Sequence, residues 1–387
     1  MDDARKPTAP IKGRGAASRV AGRFEQTVAV GEDDGWGSVY EDLGDDAPRP
    51  RTTVTEERAR TIVSHNQSPD VGFSQSINPY RGCEHGCVYC FARPSHAFLE
   101  LSPGLDFETK LFAKTNAVER LRAELAKPGH VPSPIALGIN TDGWQPIERD
   151  YRLTRELLQV LSDTNHPVHI VTKSALVVRD LDLLADMARR RLVEVHLSVT
   201  SLDNRLSAKL EPRAAAPHAR LKTIRALADA GVPTGVLVAP VIPMITDMDL
   251  ERILEACRDA GARSAGYVLL RLPHELKEIW REWLQLHFPE RAAASWQASR
   301  IRSSSMSVII GMTGATSTPV GTPASASARI VRSRACGAAA RGSSFDDSRL
   351  SSDVTDRCTS TRWRRAMSAS RSRSRTTSAL LVTMCTG

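Results

Sequence analysis

Val168-His-Ile-Val-Thr-Lys-Ser-Ala-Leu-Val-Val-Arg-Asp-Leu-Asp-Leu-Leu-Ala-Asp-Met-Ala-Arg-Arg-Arg-Leu-Val-Glu-Val-His-Leu-Ser-Val-Thr200 reads as strand, helix, strand. Val168–Thr172 is a β-rich run, Leu181, Leu184 and Ala188 share one helical face, and Val193–Val199 alternates apolar with polar residues. Strand–helix–strand is the parallel β/α unit, because parallel strands need a crossover. The pattern repeats outward. Further candidate strands are Ser76–Arg81, Ile135–Asn140, Thr234–Ala239 and Gly266–Arg271. Leu153, Leu157, Leu158 and Leu161 mark one more helix, and Leu250, Ile253, Leu254 and Cys257 another. Thr246 and Asp249 read as a capping box before the latter. Pro273 suits the first turn of a last helix ending near Phe288. Six strands with helices between them fit an open doubly wound sheet or a full or partial β/α barrel. Periodicity does not separate the two, but in both ligands gather at the carboxyl ends of the strands.

The chain has 387 residues and a formal charge of +8. That length allows one large domain or two ordinary ones. A basic chain suggests an anionic partner, yet the charge is unevenly placed. Residues 1–294 carry 38 Lys+Arg against 40 Asp+Glu, a net of −2, and residues 295–387 carry 14 Arg and 4 Asp, a net of +10. The near-neutral part gives no support for duplex DNA binding. No apolar run is long enough for a membrane span, and the start MDDARKPTAP is not a secretory signal. Seven Cys are too sparse for a disulfide scaffold. Three of them fall within eight positions, which points to a metal or redox site in a reducing, cytoplasmic setting.

Three segments are expected. Residues 1–60 read as an irregular arm with acidic clusters such as Glu32-Asp33-Asp34. Residues 61–294 carry the β/α pattern. Residues 295–387 contain 21 Ser, no Lys and no Glu, and no sustained period beyond short runs such as Val308–Ile310. They read as a disordered basic tail or as a GC-rich gene translated out of frame. Cys336, Cys358 and Cys385 in that stretch receive no role.

The strongest motif is Cys83-Glu84-His85-Gly86-Cys87-Val88-Tyr89-Cys90, directly after the first strand. Three thiolates on a tight loop can hold three corners of a cubane iron–sulfur cluster and leave the fourth iron open. Soft thiolates also suit zinc. Zinc would want a fourth protein ligand; His85 lies awkwardly inside the loop, and His96 is freer.

The C-x3-C-x2-C spacing with Tyr89 before the last Cys resembles the signature of the radical S-adenosylmethionine superfamily. The wider stretch from Ser76 to Pro94 resembles the branch near spore photoproduct lyase, and more closely a group of bacterial proteins of uncharacterised activity in that branch. The resemblance implies a partial (β/α)6 barrel of the TIM-like type, choosing between the architectures above. It implies a [4Fe–4S] cluster on Cys83, Cys87 and Cys90, with S-adenosylmethionine chelated at the open iron. It also implies reductive cleavage to a 5′-deoxyadenosyl radical that abstracts hydrogen from a substrate, and a reduced flavodoxin- or ferredoxin-type donor.

The same resemblance assigns cofactor contacts. Tyr89 lies on the cofactor side of the loop. The segment Gly138–Glu148 resembles the one that meets the methionine amino group, and Asp142 and Glu148 are acceptors suited to an ammonium. The usual Asp-Pro-Tyr-Gln-Pro of the family is here Asp142-Gly143-Trp144-Gln145-Pro146, a looser loop with a larger aromatic. Lys173, directly after an apolar strand, resembles the Lys that pairs with the methionine carboxylate, and an Arg like Arg213 approaches the same carboxylate. Ser198 shares a strand face with His196 and Thr200 and is placed to bond the ribose or carboxylate. His196 reads as a satisfied interior histidine, Arg220 as a solvated side chain and Cys257 as core. Spore photoproduct lyase places a hydrogen-donating Cys after its second strand, whereas Asn140-Thr141-Asp142-Gly143 has none. The expectation is therefore a radical S-adenosylmethionine enzyme of unknown substrate. The alternatives are a lesion-repair lyase acting on nucleic acid, a non-catalytic zinc- or cluster-binding protein, or a truncated, inactive product.

Overall fold

The computed structural model describes residues 10–25, 50–67, 73–301 and 308–311. The strands, in order, are β1 (Thr53–Glu57), β2 (Val63–His65), β3 (Gln75–Ile77), β4 (Tyr80–Arg81), β5 (Lys110–Lys114), β6 (Ile135–Leu137), β7 (Val168–Thr172), β8 (Val193–Ser198), β9 (Thr234–Val241), β10 (Ser264–Leu269) and β11 (Val308–Gly311). The helices of two turns or more are α1 (Ala117–Leu125), α2 (Leu153–Asp163), α3 (Leu181–Arg189), α4 (Asn204–Leu210), α5 (Pro217–Asp229), α6 (Leu250–Asp259), α7 (Leu276–His287) and α8 (Ala292–Ile301).

The main sheet runs β11-β10-β9-β8-β7-β6-β3-β2. Its six inner strands, β3 and β6 to β10, are mutually parallel, and β2 and β11 are antiparallel edges. That is the partial (β/α)6 barrel. Val195, Leu197, Val236, Val238, Ile170 and Leu137 are buried on the strands. The helices close over them: α2 buries Leu157, Leu158 and Leu161, α3 buries Leu184 and Met187, and α6 buries Ile253 and Cys257. Burying each such side chain contributes about 1.5–3 kcal/mol.

Four readings need correction. The first strand, expected as Ser76–Arg81, is broken after Ile77 by Asn78-Pro79, since proline cannot donate to a ladder. β4 then leaves the barrel and joins a three-stranded sheet, β1-β5-β4. Thr53–Glu57, assigned to the irregular arm, are β1, and Ala16 and Val20 of that arm are buried. Thr246 does not cap α6; its hydroxyl accepts from Ile242 N at 2.9 Å. The division at residue 294 cuts α8, whose Ser295 donates to Pro243 O at 3.0 Å. Glu32–Asp34 and residues 312–387 lie outside the described residues. Among those described, no helix is long and apolar enough to cross a membrane.

Candidate functional site

The cysteine loop hangs between the two sheets. Cys83 N donates to Phe107 O at 3.0 Å, Val88 N to Leu210 O at 3.1 Å, and Cys90 N to Cys87 O at 3.2 Å. The chain reverses at Gly86, whose φ of 67° favours glycine. A Cβ on Gly15 would lie 1.8 Å from the Gly86 carbonyl oxygen, so the arm passes directly against the turn. All three thiols are free of disulfides. Burial pushes the Cys87 thiol up to about 12, with Glu211 and Cys90 adding to the rise and Lys173 and Arg220 opposing it.

Two buried Arg–Glu pairs grip this loop. On the arm side, Arg93 donates from Nε to Cys87 O at 2.9 Å and from Nη1 to Gly104 O at 2.9 Å, and pairs with Glu108. Glu108 also accepts Gly15 N and Ala16 N, each at 2.9 Å. On the barrel side, Arg220 donates to Ala215 O at 2.7 Å and Ser198 O at 2.9 Å, and pairs with Glu211. Glu211 takes in addition the Thr200 hydroxyl at 2.7 Å and the Tyr89 hydroxyl. Burial would raise the Glu211 carboxyl, but Arg220 and Lys173 outweigh it and hold it below the usual range. Arg220, expected at the surface, is thus fully buried. It lies in the first turn of α5, which points back into the barrel mouth.

The expected cofactor residues separate into engaged and unengaged groups. Asp142 Oδ1 accepts Trp144 N at 2.9 Å and Thr172 Oγ1 at 2.8 Å, and its Oδ2 accepts Lys173 N at 2.7 Å and lies 3.3 Å from His85 Nδ1. Burial would raise this carboxyl, but His85 and the two amides bring it down to about 2. Glu148 is fully buried and accepts Tyr80 Oη at 2.5 Å, Thr154 N at 3.0 Å and Arg179 Nη2 at 2.6 Å. Both acids, expected to face an ammonium, are saturated by the protein. They tie the ends of β6 and β7 and the cysteine loop together. Tyr89 likewise spends its hydroxyl on Glu211 and Thr200. Trp144 is buried in the core, donating to Asp180 Oδ2 at 2.7 Å. Arg213 pairs with Glu84 at 3.2 Å, and its N–H reaches His85 O.

Lys173 and Ser198 differ from these. The Lys173 ammonium lies 5.8 Å from the Tyr89 ring centroid and has no acceptor within hydrogen-bond reach among the described residues. Burial lowers its pKa, but Cys87 and Glu211 outweigh that and keep it charged. Ser198 Oγ is buried with no hydrogen-bond partner. His196 is satisfied by Ser264 at 3.2 Å, and Cys257 is core. Sequence reasoning missed Arg93, Glu108, Glu211, Thr200 and Arg220. The available signals were Arg93 three residues past the last cysteine and Glu211 beside Arg213.

Residues 77–257 match the family model described as the Radical SAM superfamily. The matched stretch takes in the cysteine loop and strands β6 to β9 of the partial barrel. An uncharacterized protein of Mycobacterium tuberculosis is 38% identical over 220 residues, 56% of this chain and 65% of its own length. The chain therefore spans somewhat less than two thirds of that relative. An uncharacterized protein of Methanocaldococcus jannaschii is 28% identical over 51% of this chain and 70% of its own. Among solved structures, a spore photoproduct lyase variant aligns at 16% identity and a TM-score of 0.46, covering 61% of this chain and 66% of the other.

The superfamily implies a cluster and S-adenosylmethionine, and the residues present fit them. Three free soft thiols share one loop, Lys173 and Arg220 act electrostatically on Cys87, and Ser198 presents an orphaned hydroxyl at the end of β8. Among the described residues no group of three or more His, Cys, Asp or Glu, the three thiols included, is gathered to hold a metal ion. His85 is turned to Asp142, and His96 Nε2 lies 3.0 Å from Lys110 O.

Proposed function

We propose that this chain is a radical S-adenosylmethionine enzyme in which Cys83, Cys87 and Cys90 hold a [4Fe–4S] cluster. Lys173 and Ser198 take polar groups of S-adenosylmethionine, and Arg213 joins them by turning from Glu84, a pair whose guanidinium is partly exposed. Together the reduced cluster and cofactor supply a 5′-deoxyadenosyl radical that removes hydrogen from a substrate. The chain's own part is positioning and dryness. Arg93 holds the Cys87 carbonyl, and Glu211 holds Tyr89. Trp280 and Trp283 of α7 pack with Val88 and Tyr89 in one buried cluster that excludes water from the loop's inner side. Lys173 offers charge for a carboxylate, and Ser198 offers a donor with nothing else to bond. Electrons would come from a reduced flavodoxin- or ferredoxin-type protein.

The observation that supports this reading is three disulfide-free thiols on one loop, with an unengaged ammonium that acts on Cys87 and an orphaned hydroxyl at the end of β8. A thiol-dependent lesion lyase is less well supported. Outside the loop, Cys257 is the one cysteine among the described residues, and it is sealed in the core. Anaerobic reconstitution should give about four irons per chain and, with reductant and cofactor, release of 5′-deoxyadenosine. Cys87→Ala should abolish both. One bound zinc and no iron would reject the reading.

A further inference from the structure

A cavity of about 350 Å³ lies at the rim of the three-stranded sheet, away from the thiols, lined by Glu57, Arg58, Ala59, Arg60, Thr61, Arg81 and Lys114. Four cations thus face one carboxylate, a formal excess of three positive charges (4 − 1). The surrounding fold does not explain it, because residues 1–294 together carry a net of −2.

Internal pairing does not cancel the excess. Glu57 is spent on Arg81, whose Nε lies 2.9 Å from Oε1. Arg58 reaches Glu119 at 3.3 Å, but both groups are exposed, so water and salt screen that pair. Lys114 donates to the Asn78 carbonyl at 2.8 Å and has no carboxylate partner among the described residues. Burial, and then the charge of Arg81, lowers its pKa. Arg60 makes no hydrogen bond or ion pair among the described residues. Like charges gathered around a cavity repel each other, and an anion placed there relieves that repulsion while satisfying the spare N–H groups.

We infer that this cavity is a binding site for a phosphate oxyanion, either free or at the end of a nucleotide, held by Arg60, Arg81 and Lys114. Guanidinium forks match tetrahedral oxyanions, and the Thr61 hydroxyl adds a neutral donor at the rim. The chain and a hydrogen-bond relay link the site to the thiol loop. Arg81 stands two residues before Cys83, and Lys114 grips Asn78, whose side chain accepts the N–H of Asn140 at 3.1 Å on the segment leading to Asp142. It does not depend on the cluster reading, since none of its residues touches a thiol.

Calorimetric titration of the full-length chain without iron, at constant ionic strength, tests it. Inorganic phosphate should bind saturably at one site. Arg60→Ala should weaken binding by about ten-fold with an unchanged melting temperature, and Lys114→Met should weaken it comparably. Arg189→Ala, an exposed arginine on α3, should have no effect. Competition with adenosine 5′-monophosphate separates the two sources: tighter binding of the nucleotide selects a phosphate ester, and equal or weaker binding selects the free ion. A non-saturating response, or one equal in wild type and Arg60→Ala, would overturn the site.

Discussion

Two sets of polar side chains lie at the ends of β6, β7 and β8 or in the segments that follow them, and they differ in whether the protein already satisfies them. Asp142, Glu148, Glu211 and Arg220 are buried and have their hydrogen-bonding capacity filled by neighbours. Lys173 and Ser198, on adjacent strands, have no acceptor or partner within the described residues. A satisfied buried charge fixes geometry, because moving it would leave its partner bare. An unsatisfied group carries an open desolvation cost that a ligand can offset. The first set therefore builds the site, and the second is where a cofactor gains most.

The comparison breaks most visibly if a member of the filled set is removed. Arg220→Met leaves Glu211 buried beside Tyr89 and Thr200 without its main counter-charge. Loss of one partner from such a pair costs about 3–5 kcal/mol, which for a domain of this size lowers the melting temperature by roughly 6–20 °C. Thermal melting of the iron-free chain checks it. The paired change Arg220→Met with Glu211→Gln should recover part of the loss. If Arg220→Met melts like wild type and loses only cofactor affinity, Arg220 belongs with the unengaged set and the division fails.

How far this division could be read from sequence depends on what decides it. The later strands and the helices over them are legible, because Val193–Val199 and Leu153–Leu161 carry their period in the order of their own residues. The three cysteines were legible because their spacing is local. Saturation is not local. Glu148 looks like an available acid until Tyr80, 68 positions away, is brought against it. Arg220 looks like a helix-surface charge until the turn at Ala214–Ala216 aims it inward. The arm was misread for a similar reason. Gly15 and Ala16 have no apolar pattern to announce them, and they are held by backbone hydrogen bonds to Glu108. The break at Pro79 could have been foreseen from the residue itself.

In the unengaged set the effect should move from stability to binding. Lys173→Met removes a half-buried ammonium that no protein carboxylate bonds directly. The cluster-loaded chain should hold S-adenosylmethionine about ten-fold more weakly, the loss of one charge-assisted contact. The iron-free chain should melt only slightly lower than wild type, because Lys173 attracts Glu211 through space without bonding it. Equilibrium dialysis with the cofactor, set beside thermal melting, reads both. A large fall in melting temperature would show that Lys173 supports the Tyr89–Glu211 network and would move it into the filled set.

Ser198→Ala is the smallest and most discriminating change. The hydroxyl is buried without a partner, so its removal from the iron-free chain relieves an unmet donor rather than breaking a bond. Melting should stay within about 2 °C of wild type, and an increase fits better than a decrease. In the loaded chain the same deletion removes one neutral hydrogen bond, so affinity for S-adenosylmethionine should fall by roughly two- to ten-fold. Opposite signs from one methylene-sized change are hard to obtain from a structural role alone. A purely packing residue would lower stability and leave affinity untouched, whereas a group reserved for a ligand leaves stability intact and weakens binding.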